Sequence, residues 1–432
     1  MASTYLTRTP SSETANGRRK WTFSFWMKRA DTSGFELFGA DADGARNNNY
    51  HILDFSGSND NLDFNAYESG SIFRLITSRK FRDTNSWYHI LIAWDTTQAT
   101  ASDRVKIYVN GVQETAFDTE TYPSQNYQGK IFSSGKIHHI GGRSGAYFNG
   151  VLSHIHACEG YVYQPSDFGE TDSTTGEWKI KTSPSVSYGT NGFFILKDGN
   201  SVTDQSGNSN NFTVAGGTLT NTEDCPSNVF ATWNSLVPLG TFSNGSTVWT
   251  SASSGDGSAF STLGAEAGKY YMECKITNAN ASGWELGVAP VTRLDGNANG
   301  VGTSTVGGVG YTGDGYIRRA GTTVASGLTT FAQNDIISCA LDMDTRKVYF
   351  YKNGTILNSG TGVDLPSTTG HYVFATGDWY SSASTSASAN FGNGYFGTTA
   401  VSSAGTNASG IGIFEYDVPT GYTALSTKGL NE

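Results

Sequence analysis

The chain has 432 residues, of which 53 are glycine and 13% are aromatic, whereas only 15% are charged. This length exceeds what one ordinary hydrophobic core accommodates, so two or three domains are expected. The formal net charge of −10 argues against nucleic-acid binding, which requires clustered lysine and arginine, and no apolar run approaches the ~20 residues that membrane insertion requires.

The first third of the chain has the pattern of successive β-strands. In KWTFSFWMKR (20–29) and WYHILIAWD (87–95), large apolar residues recur at every second position, which is typical of a half-buried strand. Further strand patterns follow in RVKIYVNG (104–111), KIHHIGG (136–142) and GVLSHIHACEG (150–160). Strands separated by turns, without intervening helices, predict an antiparallel sandwich over residues 1–165.

A loop is predicted in this first block at GADADGARNNN (39–49). It contains glycine and offers oxygen ligands from Asp41, Asp43 and Asn47, a composition that suits calcium. Calcium is therefore the ion predicted for this loop. A solvated acidic turn without a metal is the alternative.

Four of the seven histidines lie close together in sequence, at positions 138, 139, 154 and 156. In LSHIHAC (152–158), His154 and His156 fall on the same face of the predicted strand. With a third ligand from a neighbouring strand, this pair would hold zinc. No cysteine or carboxylate completes the set in the sequence, so the alternative is that both are surface or interface histidines.

Residues 166–240 form a predicted connector, which is dense in glycine, asparagine, serine and threonine. Its one apolar segment, FFILKD (193–198), is predicted to be a strand of the first sandwich, because an unpaired apolar strand is an aggregation hazard. The rest is predicted to be either a linker or a loop-rich flap that Phe212 and Trp233 pin in place.

Residues 241–432 contain a second series of strand patterns, which includes GKYYMECKI (268–276), GWELGVAP (283–290) and RKVYFYKNGT (346–355). Asn-Gly follows a strand pattern at 353–354 and also at 110–111, and this dipeptide favours the type I′ turn of a β-hairpin. The predicted fold class is therefore all-β, with two antiparallel jelly-roll-like β-sandwiches joined by a loop-rich connector.

Cysteine usage and the N-terminus bear on where the protein is made. Four cysteines in a chain of this length do not form a disulfide framework. Cys274 and Cys339 alternate in phase with apolar neighbours, so we expect them to be small buried residues. The first twenty residues lack the apolar segment of a secretory signal peptide. We therefore expect synthesis and assembly in a cytoplasm.

Both strand-rich blocks resemble known domains. KWTFSFWMKR, SWYHILIAWDTT, RVKIYVNG and FNGVLSHIHACEG resemble the concanavalin A-like jelly roll of laminin-G and pentraxin-type domains. YYMECKI, ELGVA, VGYTGDG, DIISCALDMDTRKVYFYKNG and PTGYTALST resemble a SPRY domain. PSDFGETDSTTGEWKIK, YGTNGFFILKD, DQSGNSNNFT and CPSNVFATWNSLV are similar to the connector between such domains in structural proteins of tailed bacteriophages, especially marine ones.

The resemblance implies a virion protein of a tailed phage, of the tail-fibre or receptor-binding type. Its implied partners are other virion subunits, further copies of itself (a trimer is favoured) and a host cell-surface glycan or protein. It would be assembled in the bacterial cytoplasm and released by lysis. The first sandwich starts within about twenty residues of Met1 and no heptad run is present, which favours a short appendage over a long fibre. A purely structural virion protein without a host ligand is the alternative.

Enzymatic activity is considered because these jelly rolls share their fold with glucanases. Glycoside hydrolysis requires two suitably spaced carboxylates. The Glu-x-Asp-x-x-Glu strand motif of the jelly-roll glucanases does not occur in the sequence. Since fold alone does not confer activity, the prediction is a protein that is not an enzyme.

In SPRY domains, ligands contact a shallow surface that loops form at one end of the sandwich. Tyrosine, tryptophan and arginine are enriched at recognition surfaces. The same aromatic residues could equally belong to the core. On this resemblance the candidate ligand-binding residues are Trp284, Tyr311, Tyr316, Arg318, Arg319, Trp379 and Tyr380.

Overall fold

The computed structural model of the protein describes residues 4–32, 36–41, 49–56, 60–143, 145–174, 176–197, 199, 201–237, 239–252, 257–278, 283–293, 300–367, 369–378 and 384–431. The chain forms two compact units, Met1–Asn221 (unit 1) and Thr222–Glu432 (unit 2). Strands account for 46% of the structure and helices for 4%, which confirms the predicted all-β fold class.

Unit 1 consists of strands and short turns. The strands in its described part are β1 (Tyr5–Arg8), β2 (Lys20–Arg29), β3 (Glu36–Asp41), β4 (Asn49–Ser56), β5 (Asn61–Glu68), β6 (Ser71–Lys80), β7 (Trp87–Asp95), β8 (Val105–Val109), β9 (Val112–Gln113), β10 (Phe117–Thr121), β11 (Ile137–Ile140), β12 (Gly142–Arg143), β13 (Ala146–Tyr147), β14 (Gly150–Glu159), β15 (Gly169–Thr171), β16 (Trp178–Ile180), β17 (Phe193–Ile195) and β18 (Thr213–Ala215).

Two antiparallel sheets form the sandwich of unit 1. An eight-stranded sheet has the order β10-β6-β5-β4-β3-β11-β1-β18, and a six-stranded sheet has the order β17-β14-β2-β7-β8-β9. Two short hairpins, β12–β13 and β15–β16, complete the unit. The alternation in β2 determines which side chains point between the sheets, where Trp21 stacks on Trp94 of β7 at 5.3 Å and meets Phe64 of β5 edge-on at 6.1 Å.

Unit 2 also consists mainly of strands. Those in its described part are β19 (Thr241–Ser243), β20 (Val248–Thr250), β21 (Gly257–Ala265), β22 (Lys269–Ile276), β23 (Trp284–Pro290), β24 (Val309–Thr312), β25 (Ile317–Arg319), β26 (Thr322–Ala325), β27 (Ile336–Asp342), β28 (Lys347–Lys352), β29 (Thr355–Ile356), β30 (Val363–Asp364), β31 (Tyr372–Asp378), β32 (Ser386–Asn390), β33 (Tyr395–Phe396), β34 (Thr399–Ala400) and β35 (Thr423–Ala424).

Two larger sheets again enclose the core of unit 2. One has the order β19-β20-β32-β22-β27-β28-β29, with β30 beside β28 and β35 beside β22, and the other has the order β21-β31-β23-β24-β25-β26. Met272 and Cys274 of β22 and Leu286 and Val288 of β23 lie in one apolar cluster between the sheets. Cys274 and Cys339 are completely buried in it, as their sequence pattern predicts.

Both predicted Asn-Gly turns have the expected conformation. Asn110 and Gly111, between β8 and β9, have φ angles of 47° and 82°, and Asn353 and Gly354, between β28 and β29, have φ angles of 48° and 78°. Two consecutive positive φ angles are what a type I′ turn requires. Each sandwich therefore uses the same hairpin turn.

The apolar segment of the predicted connector belongs to unit 1. β17 pairs antiparallel with β14, with Phe194 opposite His156, which confirms that this segment is a strand of the first sandwich. The strand ends at Ile195, earlier than predicted, because Leu196 turns away with a φ of 55°. Phe212 packs in the core of unit 1 and Trp233 in the core of unit 2.

Helices contribute little to either unit. They are α1 (Pro165–Phe168) and the 3₁₀ turns Ala101–Asp103, Val291–Arg293, Asn358–Gly360 and Gly429–Asn431. Within the described ranges given above, none is long and apolar enough to cross a membrane. All four cysteines are free thiols.

Candidate functional site

One surface of unit 1 concentrates polar and aromatic side chains. In β4 and β5, Leu53, Phe55, Leu62 and Phe64 belong to the core, so the residues that alternate with them point away from it. We call this surface of the eight-stranded sheet the outer face. It includes Tyr5, Thr7, Glu36, Gly39, Asp41, Tyr50, Ile52, Asp54, Asp63, Asn65, Tyr67, Arg74, Ile76, Ile137 and His139.

Strand register arranges the outer face in three rows, since directly paired residues are neighbours on one face. The central row runs from Thr7 through His139, Gly39, Ile52 and Asn65 to Arg74. On one side of it lies the row Asp41, Tyr50 and Tyr67. On the other side lies the row Glu36, Asp54 and Asp63.

Charge-assisted hydrogen bonds tie the acidic row to two arginines. Arg74 donates to Asp63 Oδ2 from Nε at 3.0 Å and from Nη2 at 2.6 Å, while Asn65 Nδ2 donates to Asp63 Oδ1 at 2.9 Å. Hydrogen bonds from the Arg74 guanidinium to this carboxylate raise the pKa of Arg74. Arg143 Nε donates to Glu36 Oε2 at 3.0 Å. The planar guanidinium groups of Arg74 and Arg143 are thereby held in fixed orientations on the outer face.

Gly39 leaves space at the centre of the face. A Cβ at this position would lie 2.7 Å from Glu36 Oε1 and 2.9 Å from Ile52 Cγ2. Both distances are too short for a real side chain, so a larger residue would displace the Glu36 carboxylate. The Glu36 side chain therefore reaches over Gly39 toward the central row.

Tyrosines border the buried polar and charged side chains of the outer face, which we call its floor. The rings of Tyr50 and Tyr67 stack at 5.8 Å with planes 14° apart, and those of Tyr5 and Tyr147 lie 5.9 Å apart. All four rings are partly exposed, whereas Glu36, Asp41, Asp54, Asp63 and His139 are buried. The outer face therefore combines a buried, charged floor with a partly exposed aromatic rim.

The predicted calcium loop is only partly described. Asp43 and Asn47 lie outside the described residues. Asp41 is the last residue of β3 and is buried, which corrects the expectation of a loop position: pairing with Tyr50 and Ile137 holds it in the sheet. Its Oδ1 faces His139 Nε2 at 3.3 Å. Among the described residues, no group of three histidine, cysteine or acidic side chains is placed to hold a metal.

The predicted zinc histidines are buried, and neither lies on an open surface. His156 Nδ1 bonds to the Tyr188 hydroxyl at 2.8 Å and its ring stacks on Phe194 at 3.9 Å. Burial lowers the pKa of His156 well below its usual value. His154 has a φ of 47° within a bulge of β14, and its Nδ1 lies 2.7 Å from Ser153 Oγ. The connector supplies Tyr188 and Phe194, which the local sequence pattern does not anticipate.

The predicted ligand residues of unit 2 fall into three groups. Trp284 and Tyr311 are completely buried and pack on Phe331 in the core, so they present no surface to a ligand. Trp379 and Tyr380 lie outside the described residues. The remaining three are Tyr316, Arg318 and Arg319, around β25.

These three residues have different surroundings. Tyr316 is exposed, and the Arg318 guanidinium carbon lies 5.9 Å from its ring centroid. Arg319 donates from Nε to the Asp364 carbonyl at 2.8 Å and from Nη2 to the Leu365 carbonyl at 3.2 Å, so it fastens a neighbouring loop. Only Tyr316 and Arg318 are therefore brought together, and their ligand role stays a prediction.

The outer-face residues Asp63, Asn65 and Arg74 were not among the sequence candidates. A signal for them does exist: in NLDFNAY (61–67), apolar residues alternate with Asp63, Asn65 and Tyr67. Alternation reveals that these side chains share one sheet face. It does not reveal that Glu36, Asp41 and His139 join them, because that depends on pairing between distant strands.

Comparison with known proteins assigns a domain type to each unit. Residues 2–159 match the laminin-G-type profile of the concanavalin A-like lectin/glucanases superfamily, and residues 269–376 match the SPRY domain. No curated protein matches the sequence. The sandwich of unit 1 is therefore concanavalin A-like and that of unit 2 contains a SPRY domain.

Solved structures are similar to parts of the chain. The SPRY domain of human HERC1 is 24% identical over 33% of this chain and 87% of that domain, with a TM-score of 0.28. A heptameric pentraxin from Limulus polyphemus is 16% identical over 35% of this chain and 75% of its own, with a TM-score of 0.25. Domain 4 of an arabinanase from Geobacillus stearothermophilus is 20% identical over 34% of this chain and 63% of its own, with a TM-score of 0.27.

Proposed function

We propose that this protein is a non-enzymatic adhesion module on the surface of a tailed phage particle, and that the outer face of unit 1 binds a glycan of the host surface. Concanavalin A-like and SPRY domains are typically binding modules, which supports adhesion. The observation that carries the proposal is the buried polar floor between the partly exposed pairs Tyr50–Tyr67 and Tyr5–Tyr147.

This arrangement matches the two-sided chemistry of sugars. A sugar ring presents hydroxyl groups, which both donate and accept hydrogen bonds, and apolar C–H surfaces. Carboxylates accept, guanidinium groups donate and amides do both, and Asp63, Arg74 and Asn65 place all three within one network. Aromatic rings supply flat apolar area. A few fixed polar groups beside aromatic area are what a binding site requires.

The same geometry favours binding over glycoside hydrolysis. Asp54 and Asp63 lie directly opposite each other on β4 and β5, so a carboxylate pair does exist across strands, although the sequence shows none within one strand. Hydrolysis requires one carboxyl that protonates the leaving oxygen. Both oxygens of Asp63 already accept hydrogen bonds from Arg74 and Asn65, which supports an acceptor role in ligand binding.

The phage proposal rests on the resemblance of segments in the connector, residues 166–240, to the connector of phage structural proteins. Four free thiols fit assembly in a reducing bacterial cytoplasm, followed by release on lysis. We propose a homo-oligomer, with a trimer favoured, that binds other virion subunits. Several weak sugar sites on one particle would together gain ~10²–10⁴ in avidity over a single site.

Binding of the purified full chain to immobilised amylose, β-1,4-galactan, β-1,4-mannan and bacterial lipopolysaccharide tests the glycan site. Replacing both rim residues, Tyr50→Ala and Tyr67→Ala, is expected to weaken binding by about tenfold or more, because aromatic contacts dominate small interfaces. Tyr161→Ala is the control, since Tyr161 is an exposed tyrosine of unit 1 outside the outer face.

Two results would contradict the glycan proposal. The first is that the chain binds none of these glycans, which would favour the alternative of a purely structural virion protein. The other is an equal loss of binding in the rim variant and in the Tyr161→Ala control, which would place the contact elsewhere on the chain.

A further inference from the structure

We propose that mild acid opens unit 1 while unit 2 stays folded, so that the two sandwiches respond to a fall in pH in opposite directions. This inference does not depend on the proposed adhesion function. It rests on where the titratable side chains are buried. Six of the seven histidines belong to unit 1 and all six are buried. Unit 2 contains the seventh, His371, which is exposed, and the buried glutamates Glu273 and Glu285.

Two of the buried histidines use a ring nitrogen as a hydrogen-bond acceptor. The Trp178 indole N–H donates to His89 Nδ1 at 3.0 Å, and the Phe132 backbone N–H donates to His138 Nε2 at 2.8 Å. Both partners can only donate, so the accepting nitrogen carries no proton. A proton on that nitrogen would face a donor and break the hydrogen bond. The titratable side chain near His89 is His156, which is itself buried.

A third histidine, His51, has no partner that would accept a hydrogen bond from its protonated ring. Its ring lies 4.9 Å from those of Phe64 and Trp94, and neither of its nitrogens has a hydrogen-bond partner among the described residues. The side chains of Lys130 and His138 both lower the pKa of His51, in addition to the larger effect of burial. A positive charge on this ring would therefore be buried without a counter-charge.

These contacts determine the sign of the pH dependence. Burial has the largest effect on all three histidines and lowers each pKa from 6.5 to about 3. For His138, Arg8 and His139 act in the same direction and Asp41 opposes them. The unfolded chain therefore binds protons below pH 6.5 that folded unit 1 does not bind. The stability of unit 1 is fully present above pH 6.5 and is lost as pH falls toward 3.

The buried glutamates of unit 2 act in the opposite sense. Glu273 accepts hydrogen bonds from the N–H groups of Glu415 at 2.8 Å and Tyr416 at 2.9 Å, and Glu285 accepts one from the Gly302 N–H at 2.8 Å. Burial nevertheless raises both pKa values from 4.5 to about 7. The other titratable side chains that act on these carboxyls are Tyr271, Asp314 and Arg318. Folded unit 2 therefore takes up protons between pH 7 and 4.5 and gains stability.

Hydrogen exchange of the full chain at pH 7 and pH 5, measured by mass spectrometry, tests this difference. Peptides from β2 and β7 report the opening of unit 1, and peptides from β22 and β27 report that of unit 2. Each rate is divided by the rate for unstructured chain at the same pH. We expect the protection of β2 and β7 to fall at least about hundredfold at pH 5, since each exposed histidine contributes roughly twentyfold. The protection of β22 and β27 should stay constant or rise.

The variant His51→Leu isolates one of the histidines. It removes one titrating ring from unit 1, so it should reduce the fall in β2 and β7 protection by about tenfold or more. His371→Leu is the control, because that exposed histidine of unit 2 should contribute nothing. High protection at pH 7 shows that both variants are folded. Equal falls in both units, no fall in unit 1, or a fall that His51→Leu leaves unchanged would each overturn the inference.

Discussion

His51 shows how a single polar residue is held inside the core of unit 1. Its ring lies 4.9 Å from that of Phe64, 4.9 Å from Trp94 and 5.1 Å from Phe73. Neither ring nitrogen has a hydrogen-bond partner among the described residues. Burial lowers the pKa of His51 to about 3, so the imidazole is neutral and incurs a desolvation cost without a compensating hydrogen bond.

Replacing this histidine with an apolar residue of similar size is therefore expected to stabilise the protein. His51→Leu should raise the free energy of unfolding by about 1 kcal/mol, since it removes a buried unpaired polar group. Denaturant unfolding at pH 7 measures the change. The matched control is His138→Leu, because His138 is equally buried but accepts a hydrogen bond from the Phe132 N–H at 2.8 Å. That variant should lose about 2 kcal/mol, and stabilisation of both would contradict the explanation.

Glu285 is a buried acidic residue in the core of unit 2. It lies on β23, is completely buried, and accepts a hydrogen bond from the Gly302 N–H at 2.8 Å. Burial raises the pKa of Glu285 to about 7, against the opposing effects of the Gly302 hydrogen bond and the Arg318 charge. A Cβ at Gly300 would lie 2.9 Å from Glu285 Oε1, so glycine allows the loop to cover this carboxyl closely.

This raised pKa predicts a pH dependence of stability. The folded state binds a proton that the unfolded chain, with an ordinary value of 4.5, releases earlier. The stabilisation is therefore fully present below pH 4.5 and is lost as pH rises through about 7. Glutamine does not titrate, so Glu285→Gln should remove this pH-dependent loss of stability. The free energy of unfolding of the variant minus that of wild type should therefore be about 3 kcal/mol higher at pH 8 than at pH 5.

Denaturant unfolding of both proteins at the two pH values checks the Glu285 prediction. Glu266→Gln is the control, because that carboxylate is more than half exposed and should show no such difference. A Glu285→Gln difference that is the same at pH 5 and pH 8 would show that the carboxyl does not take up a proton on folding.

At the scale of elements, the hairpin β15–β16 covers part of the six-stranded sheet of unit 1. Its Trp178 donates from Nε1 to His89 Nδ1 at 3.0 Å and stacks on that ring at 5.9 Å. Gly169 and Gly111 make room for the indole, since a Cβ on either would lie less than 3 Å from it. Burial lowers the pKa of His89 to about 3, and the hairpin contributes to that burial.

Removing this cover is expected to expose the histidine. Trp178→Ala should raise the pKa of His89 toward 6.5. It should also lower the free energy of unfolding by about 2 kcal/mol, which is less than the loss expected for a fully buried tryptophan because Trp178 is partly exposed. An NMR titration of the His89 ring gives the first value and denaturant unfolding the second. Trp178→Phe retains a ring without the N–H and should shift the pKa less. An unchanged His89 pKa in the alanine variant would show that other elements desolvate it.

The elements differ in how far the sequence predicts them. Strand β2 coincides with the alternating segment KWTFSFWMKR, and both Asn-Gly turns follow from local steric preferences. The outer face could not be predicted in this way. It depends on β11 pairing with both β3 and β1, which brings His139 beside Asp41 from about a hundred residues away. Local patterns carry no signal for such register.

At the scale of the whole molecule, a concanavalin A-like sandwich and a SPRY domain lie in one chain. Unit 1 presents the outer face, and unit 2 presents Tyr316 and Arg318 on β25 and the preceding turn. Both sandwiches are rigid scaffolds on which loops can vary without loss of the core. In the proposed homo-oligomer each copy would add a further set of these surfaces, so that weak single contacts would combine into the proposed attachment.

Competition for adsorption tests the central claim of host attachment most directly. Under the proposed function, the purified protein is added to the bacterial host before the tailed phage that is proposed to carry it, and the rate of phage adsorption is measured. We expect saturating protein to slow adsorption several-fold, and the protein carrying Tyr50→Ala and Tyr67→Ala to slow it much less, while Tyr161→Ala competes fully. Unchanged adsorption at saturating protein, without detectable binding to the cells, would contradict attachment and leave a structural role in the particle.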